Sequence, residues 1–178
     1  MNPLNQTHHN NDQPPVFPIC QIGSGEIIMM PKPNTETLAA DIAFYRNNGV
    51  THLVSLLRQP EMEALQLLDE EPLSLQAGMQ FLHFPIKDMD VPDFDSLQRF
   101  NRQLLPQIEQ GAKVAIHCHG GRGRAGTVAV SLMLEAGIEL SQALQTAREK
   151  RQDPLVPVCQ LQNDFLKRYA QELAVEFR

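Results

Sequence analysis

Two rhythms of apolar spacing alternate along this chain, and the switches between them outline its elements. From Ile19 to Met30 apolar and polar positions alternate around Gly23 and Gly25, which predicts a short β-hairpin. Pro31 and Pro33 then break the chain. Thr35 is the expected N-cap of a helix with Leu38, Ile42 and Tyr45 on one face, closed by Gly49. The run 51–57 suits a strand buried on both faces. Arg58-Gln59-Pro60 leaves its C-terminal end, and 61–68 reads as a short acidic helix. A strand rich in Phe and Leu is expected over 79–86, then a loop over 87–95. The helix that follows carries Phe94, Leu97, Leu104 and Ile108, and Pro106 is expected to kink it or end its regular part.

A second apolar run, Val114-Ala115-Ile116-His117, enters a glycine-rich loop. Beyond the loop Ala125, Val128, Ala129, Leu132, Met133 and Ala136 recur at helical spacing up to Gly137. Two last helices are expected over 141–151, capped by Ser141, and over 158–176, with Asp153-Pro154 and Pro157 between them. Strands alternating with helices imply an α/β fold, a mainly parallel central sheet flanked by helices. Ligands of such sheets bind beyond the C-terminal strand ends, where Arg58, Lys87 and Cys118 fall.

A length of 178 residues suits one domain, expected over 16–178, behind a loose tail over 1–15 rich in Asn, Gln, His and Pro. In that tail His8-His9 suit a solvated segment better than a metal site. A net charge of −6 argues against a general binder of nucleic acid or anionic membrane. The start has no apolar signal-peptide core and no run approaches a membrane span, so the expected location is cytoplasmic. Three cysteines make neither a disulfide framework nor a zinc site; Cys20 and Cys159 are candidates for a reversible disulfide with Cys118, and a structural role is the expectation for both.

The remaining cysteine changes the picture. Cys118-His119-Gly120-Gly121-Arg122-Gly123-Arg124 joins a strand to the positive end of a helix. Backbone N–H groups in such a loop form a cradle for an anion. That field favours thiolate, the nucleophilic form of Cys118. The Arg124 guanidinium can grip two phosphate oxygens. No Gly-x-x-x-x-Gly-Lys-Ser/Thr is present, and the glycines do not follow Gly-x-Gly-x-x-Gly, so the loop is not one of the usual nucleotide cradles. A phosphate ester also needs a proton for its leaving oxygen. The loop 87–95 offers Asp88, Asp90, Asp93 and Asp95. Asp93 or Asp95 best suits a cap on the following helix, Asp88 directly follows the strand end and is the chosen acid, and Asp90 is next.

His117-Cys118-x5-Arg124 resembles the signature of the cysteine-dependent protein tyrosine phosphatase superfamily. The short chain and Gly120-Gly121-x-Gly123-Arg124 resemble its compact dual-specificity members, of the kinase-associated phosphatase type. The thirty-residue separation of Asp88 from Cys118, Pro85-Ile86-x-Asp88 and Pro92-Asp93 fit that type as well. The resemblance implies attack by Cys118 to form a phosphocysteine intermediate and proton transfer by Asp88. It further implies phosphate binding by His119, Gly120, Gly121, Arg122, Gly123 and Arg124, and support from His117. No metal or cofactor is implied. Where most members carry Ser or Thr after the arginine, this chain has Ala125, so no hydroxyl there eases departure of the thiolate. Thr127 is the nearest replacement. Gln162 falls where related enzymes can place a water-positioning glutamine, although a helix-surface amide is the expectation for it.

The implied activity is that of a phosphoric monoester hydrolase, a dual-specificity protein phosphatase acting on phosphorylated proteins or small phosphate esters. An inositol phosphate or phosphoinositide phosphatase is the alternative, because His119 and Arg122 add basic groups to the loop. A slow-turnover phosphate-binding protein is the rival of another class, on account of Ala125.

Overall fold

The structure is a computed structural model and describes residues 13–178. Expectations for residues 1–12, including His8 and His9, lie outside it.

The hairpin forms as read, from β1 (Phe17–Ile22) and β2 (Gly25–Met30), paired antiparallel with a bulge between Pro18 and Cys20. Three further strands follow: β3 (His52–Ser55), β4 (Gln80–His83) and β5 (Lys113–His117). Their order is β1-β2-β5-β3-β4, and every pairing beyond the hairpin is parallel. The mainly parallel α/β sheet is therefore what the alternation of elements implied.

Side chains of the central strands divide between two faces, as the two-residue strand period requires. Ile27 and Met29 of β2, Val54 of β3, and Val114 and Ile116 of β5 join one apolar core. Ile28, Met30, Leu53 and Ala115 join another on the opposite face. The first core is closed by α4 (Phe94–Glu109), α5 (Arg124–Glu135), α6 (Leu140–Arg151) and α7 (Gln160–Glu176). The second lies under α1 (Leu38–Asn47) and two short helices, α2 (Gln59–Ala64) and α3 (Glu70–Gln76). Both faces are covered, which is why the central strands read as continuous apolar runs.

Local details differ from the sequence reading in physical ways. The cap before α1 is Asn34, whose side chain accepts from the Glu36 amide above a 3-10 turn, Thr35–Thr37, while the Thr35 hydroxyl donates to the Leu65 carbonyl. Glu139 rather than Ser141 caps α6, and its carboxylate accepts from the Ser141 and Gln142 amides. α4 is capped by Asp93 and runs on through Pro106 to Glu109. α3 was not anticipated. It carries Pro72 in its first turn, where a missing N–H costs nothing because those N–H groups have no helical partner.

Candidate active site

β5 delivers His117 and Cys118 to the C-terminal edge of the sheet, and the loop 118–123 runs from there into α5. Cys118 is buried, Arg124 begins the helix, and a cleft of about 230 Å³ opens above them. Its walls are Asp88 and Met89 on one side and Val158 and Gln162 on another, with His119, Gly120, Arg122 and Gly123 in the loop itself. Gly121 packs outward: at φ +69°, a Cβ on it would lie 2.2 Å from the Met30 carbonyl oxygen.

The loop amides are aimed by what their carbonyls do. In a trans peptide the C=O and the following N–H point opposite ways. The Cys118 carbonyl accepts from His117 Nδ1 at 3.0 Å, and the His119 carbonyl accepts from the Lys32 amide at 3.0 Å. The Gly120 and Gly121 carbonyls accept from Arg151 at 3.0 and 2.9 Å. Four successive carbonyls are thus held away from the cleft, and the amides of His119, Gly120, Gly121 and Arg122 are turned toward it. The N-terminus of α5 adds its positive end.

Arg124 completes the cradle. Its Nη1 donates to both Glu61 carboxylate oxygens, at 3.0 and 2.9 Å, and to the Ile86 carbonyl at 2.9 Å. Nε and Nη2 are buried without a hydrogen-bond partner among the described residues, an expensive state unless an anion takes them. Nη2 lies 3.4 Å from Asp88 Oδ1. Glu61 was missed in the sequence as a site residue. It holds Arg124 from behind and also accepts from the Arg58 amide at 2.9 Å, closing the first turn of α2. Burial pushes its carboxyl up, but hydrogen bonds from Arg124 and Arg58 outweigh that and hold it below the usual range.

Beneath Cys118 lies a second buried pair. His117 Nε2 is 2.5 Å from Glu70 Oε1, and neither side chain reaches solvent. Both ring nitrogens of His117 face oxygen atoms, Cys118 O and Glu70 Oε1, an arrangement that favours the doubly protonated ring. Burial alone would push its pKa down, but the Glu70 carboxylate prevails and raises it. His117 therefore positions the loop and is no general base. Glu70 went unseen because its partner lies 47 residues away.

Asp88 sits exposed at the mouth of the cleft, its Oδ1 accepting from the Met89 amide. The carboxylate of Asp90 accepts locally from the Val91 amide and does not line the cleft. Gln162 corrects an expectation: it is no surface amide but fully buried on α7, its Nε2 donating to the Asp90 carbonyl at 3.3 Å. Its Oε1 has no partner among the described residues. The space for it exists because residue 123 is glycine, where a Cβ would lie 2.5 Å from Val158 and 3.0 Å from Gln162. Thr127 spends its hydroxyl on the Gly123 carbonyl at 2.9 Å, so it braces the loop without replacing the hydroxyl absent at Ala125. Arg122 is ion-paired with Asp153 beyond α6, while His119 is exposed at the rim. Cys20 and Cys159 are free thiols, each partly buried.

The missing hydroxyl gives a testable outcome. Ala125→Ser is expected to speed breakdown of a Cys118 phosphoenzyme about tenfold or more, since a hydrogen bond to a charged group contributes about 1.5–3 kcal/mol. Single-turnover kinetics would register the change in the second step alone.

Comparison with known proteins agrees with this geometry. A family model described as "Polymorphic toxin system, DSP-PTPase phosphatase" (Tc-R-P) matches residues 28–138. Protein tyrosine phosphatase domain-containing protein 1 of Bos taurus is 29% identical over 136 residues, covering 70% of this chain and 17% of that protein. Cyclin-dependent kinase inhibitor 3 of Rattus norvegicus is 26% identical over 131 residues, covering 72% of this chain and 61% of that protein. The chain thus spans less than two thirds of either relative. Among solved structures, kinase associated phosphatase with its catalytic-site cysteine changed to serine superposes with a TM-score of 0.83. The identity is 20%, over 92% of this chain and 98% of that one. Tk-PTP in its active form gives a TM-score of 0.68 at 28% identity, over 86% and 96%. A family match across more than half of the chain, taking in both Cys118 and Arg124, means that this chain belongs to the dual-specificity (DSP-PTPase) branch of the cysteine-dependent protein tyrosine phosphatases.

Proposed function

We propose that this chain hydrolyses phosphate monoesters through a phosphocysteine on Cys118, acting as a dual-specificity phosphoprotein phosphatase. The observation that carries this reading is that Nε and Nη2 of buried Arg124 make no hydrogen bond among the described residues, Nη2 having only Asp88 at 3.4 Å, beside Cys118 and the inward-turned amides of its loop. Cys118 attacks phosphorus as thiolate. Arg124 Nε and Nη2 and the loop amides bind the equatorial oxygens as charge shifts onto them. Asp88 gives a proton to the leaving oxygen and then takes one from the attacking water. The orphan Oε1 of Gln162 suits the position of that water, beside Gly123 and the cleft. Residues 16–178 act as one domain in this reading.

A phosphoprotein suits the mouth better than an inositol phosphate. The Arg122 charge is already compensated by Asp153, whose own carboxyl that hydrogen bond holds low, so the rim offers less free positive charge than its sequence suggests. Among the described residues the walls beside Asp88, Met89 and Val158 carry no aromatic ring to clamp a phosphotyrosine, and a small cleft admits phosphoserine and phosphothreonine. Relatives named for association with, or inhibition of, kinases support a protein substrate. A thiolate chemistry fits a reducing, cytoplasmic setting, and no helix among the described residues is long and apolar enough to cross a membrane.

Slow turnover remains a second reading, favoured by Ala125 and by the Thr127 hydroxyl being bound to Gly123. A leaving-group series tests the main one. Asp88→Asn should lower kcat/KM about 10²–10⁴-fold for alkyl phosphates and far less for activated aryl phosphates. Asp90→Asn should leave both unchanged. Equal losses in the two variants, or a loss independent of leaving group, would remove Asp88 from the acid role.

A further inference from the structure

We infer that Arg151, outside the signature and unmarked by it, is a positioning residue that sets the anion affinity of the phosphate loop; this rests on the phosphatase reading above. Arg151 is the last residue of α6. Its guanidinium forks onto two successive loop carbonyls, Nη2 to Gly120 O at 3.0 Å and Nε to Gly121 O at 2.9 Å. Its carbon centre stands 4.0 Å above the centre of the Phe17 ring, so the fork is pinned between the loop and β1. The side chain is half-buried, and the charges of Asp153 and Arg122 act on it with opposite sign.

The two carbonyls determine which way two amides point. With Gly120 O and Gly121 O drawn outward, the N–H groups of Gly121 and Arg122 face the cleft. Glycine backbones offer little resistance to a flipped peptide. A flip would replace a donor with a carbonyl oxygen facing a phosphate dianion. Arg151 stabilises the donor-inward arrangement, and the preorganised amides then require no rearrangement at the moment of reaction. A lysine cannot do this as well, because a single ammonium lacks the planar fork that spans adjacent carbonyls. Nothing local marks the residue in sequence, since Arg148-Glu149-Lys150-Arg151 is simply the charged end of the helix expected over 141–151.

The test is competitive inhibition by tungstate, a tetrahedral oxyanion, of aryl phosphate hydrolysis by the whole chain. Arg151→Ala is expected to raise the tungstate inhibition constant about tenfold and to lower kcat/KM in proportion. Guanidinium ion at millimolar concentration should restore much of both. Phe17→Leu, which removes the ring but leaves the fork, should give a smaller change in the same direction and remains informative if Arg151→Ala does not fold. A folded Arg151→Ala whose tungstate constant stays within twofold of wild type would overturn the inference. A loss that guanidinium does not restore would reduce Arg151 to a packing role and would overturn it equally. If wild type itself neither turns over nor binds tungstate, the phosphatase reading fails first, and that outcome is distinct from either.

Discussion

Arg124→Lys is expected to lower kcat/KM by about 10³-fold while leaving the fold intact. The native side chain is held from behind by Glu61 and the Ile86 carbonyl, which in the proposed mechanism leaves Nε and Nη2 to meet two phosphate oxygens at fixed spacing. Lysine keeps the charge but not the fork, and its ammonium would be drawn to Glu61, away from the cleft. Losing one preorganised oxyanion donor typically costs about 10²–10³-fold, and here two are lost. Glu61→Gln should cost less, about tenfold, because Arg124 keeps its charge and its bond to Ile86. Steady-state kinetics with circular dichroism as a fold control would register both. An Arg124→Lys enzyme within tenfold of wild type would contradict the role given to the fork.

Glu70→Gln is expected to destabilise the chain more than any other single change at the site, by about 3–5 kcal/mol, because it strips the counter-charge from a fully buried imidazolium. That is a large share of a domain's usual stability of about 5–15 kcal/mol. The effect has a pH signature. The folded pKa of His117 lies above its ordinary value of 6.5. Its pairing therefore contributes fully below about pH 6.5 and is lost as pH rises through the folded value. The gap between wild type and Glu70→Gln should be widest near pH 6 and should narrow on the alkaline side. Urea unfolding across a pH series would measure it. A gap that does not change with pH would mean that His117 carries no charge.

These two sites also show what was legible in the sequence. The shared placement of Cys118 and Arg124 could be read because it is local: strand, glycine loop and helix start follow one another along the chain. The hairpin and the buried strands were legible for the same reason. Asp88 was read from a strand expected to reach Ile86, but β4 ends at His83, and the loop beyond it brings Asp88 to the mouth of the cleft. Glu61, Glu70 and Arg151 were not legible, because each acts on a partner brought near only by the fold. Glu70 stands in Asp69-Glu70-Glu71-Pro72, which reads as solvated charge before a helix breaker, yet it begins a helix whose first turn tolerates proline. Gln162 has the same lesson in reverse: it was expected on a helix surface, and the missing Cβ of Gly123 made room to bury it.

The account stands on a covalent phosphoenzyme at Cys118. Rapid acid quench of the wild-type chain with an aryl phosphate, followed by mass analysis of its peptides, tests this directly. The prediction is a burst of phenol approaching one per chain, slow release of phosphate, and one added phosphoryl group on the peptide containing Cys118, with neither burst nor adduct in Cys118→Ser. Turnover that survives in Cys118→Ser, or a phosphoryl group found on another residue, would contradict it.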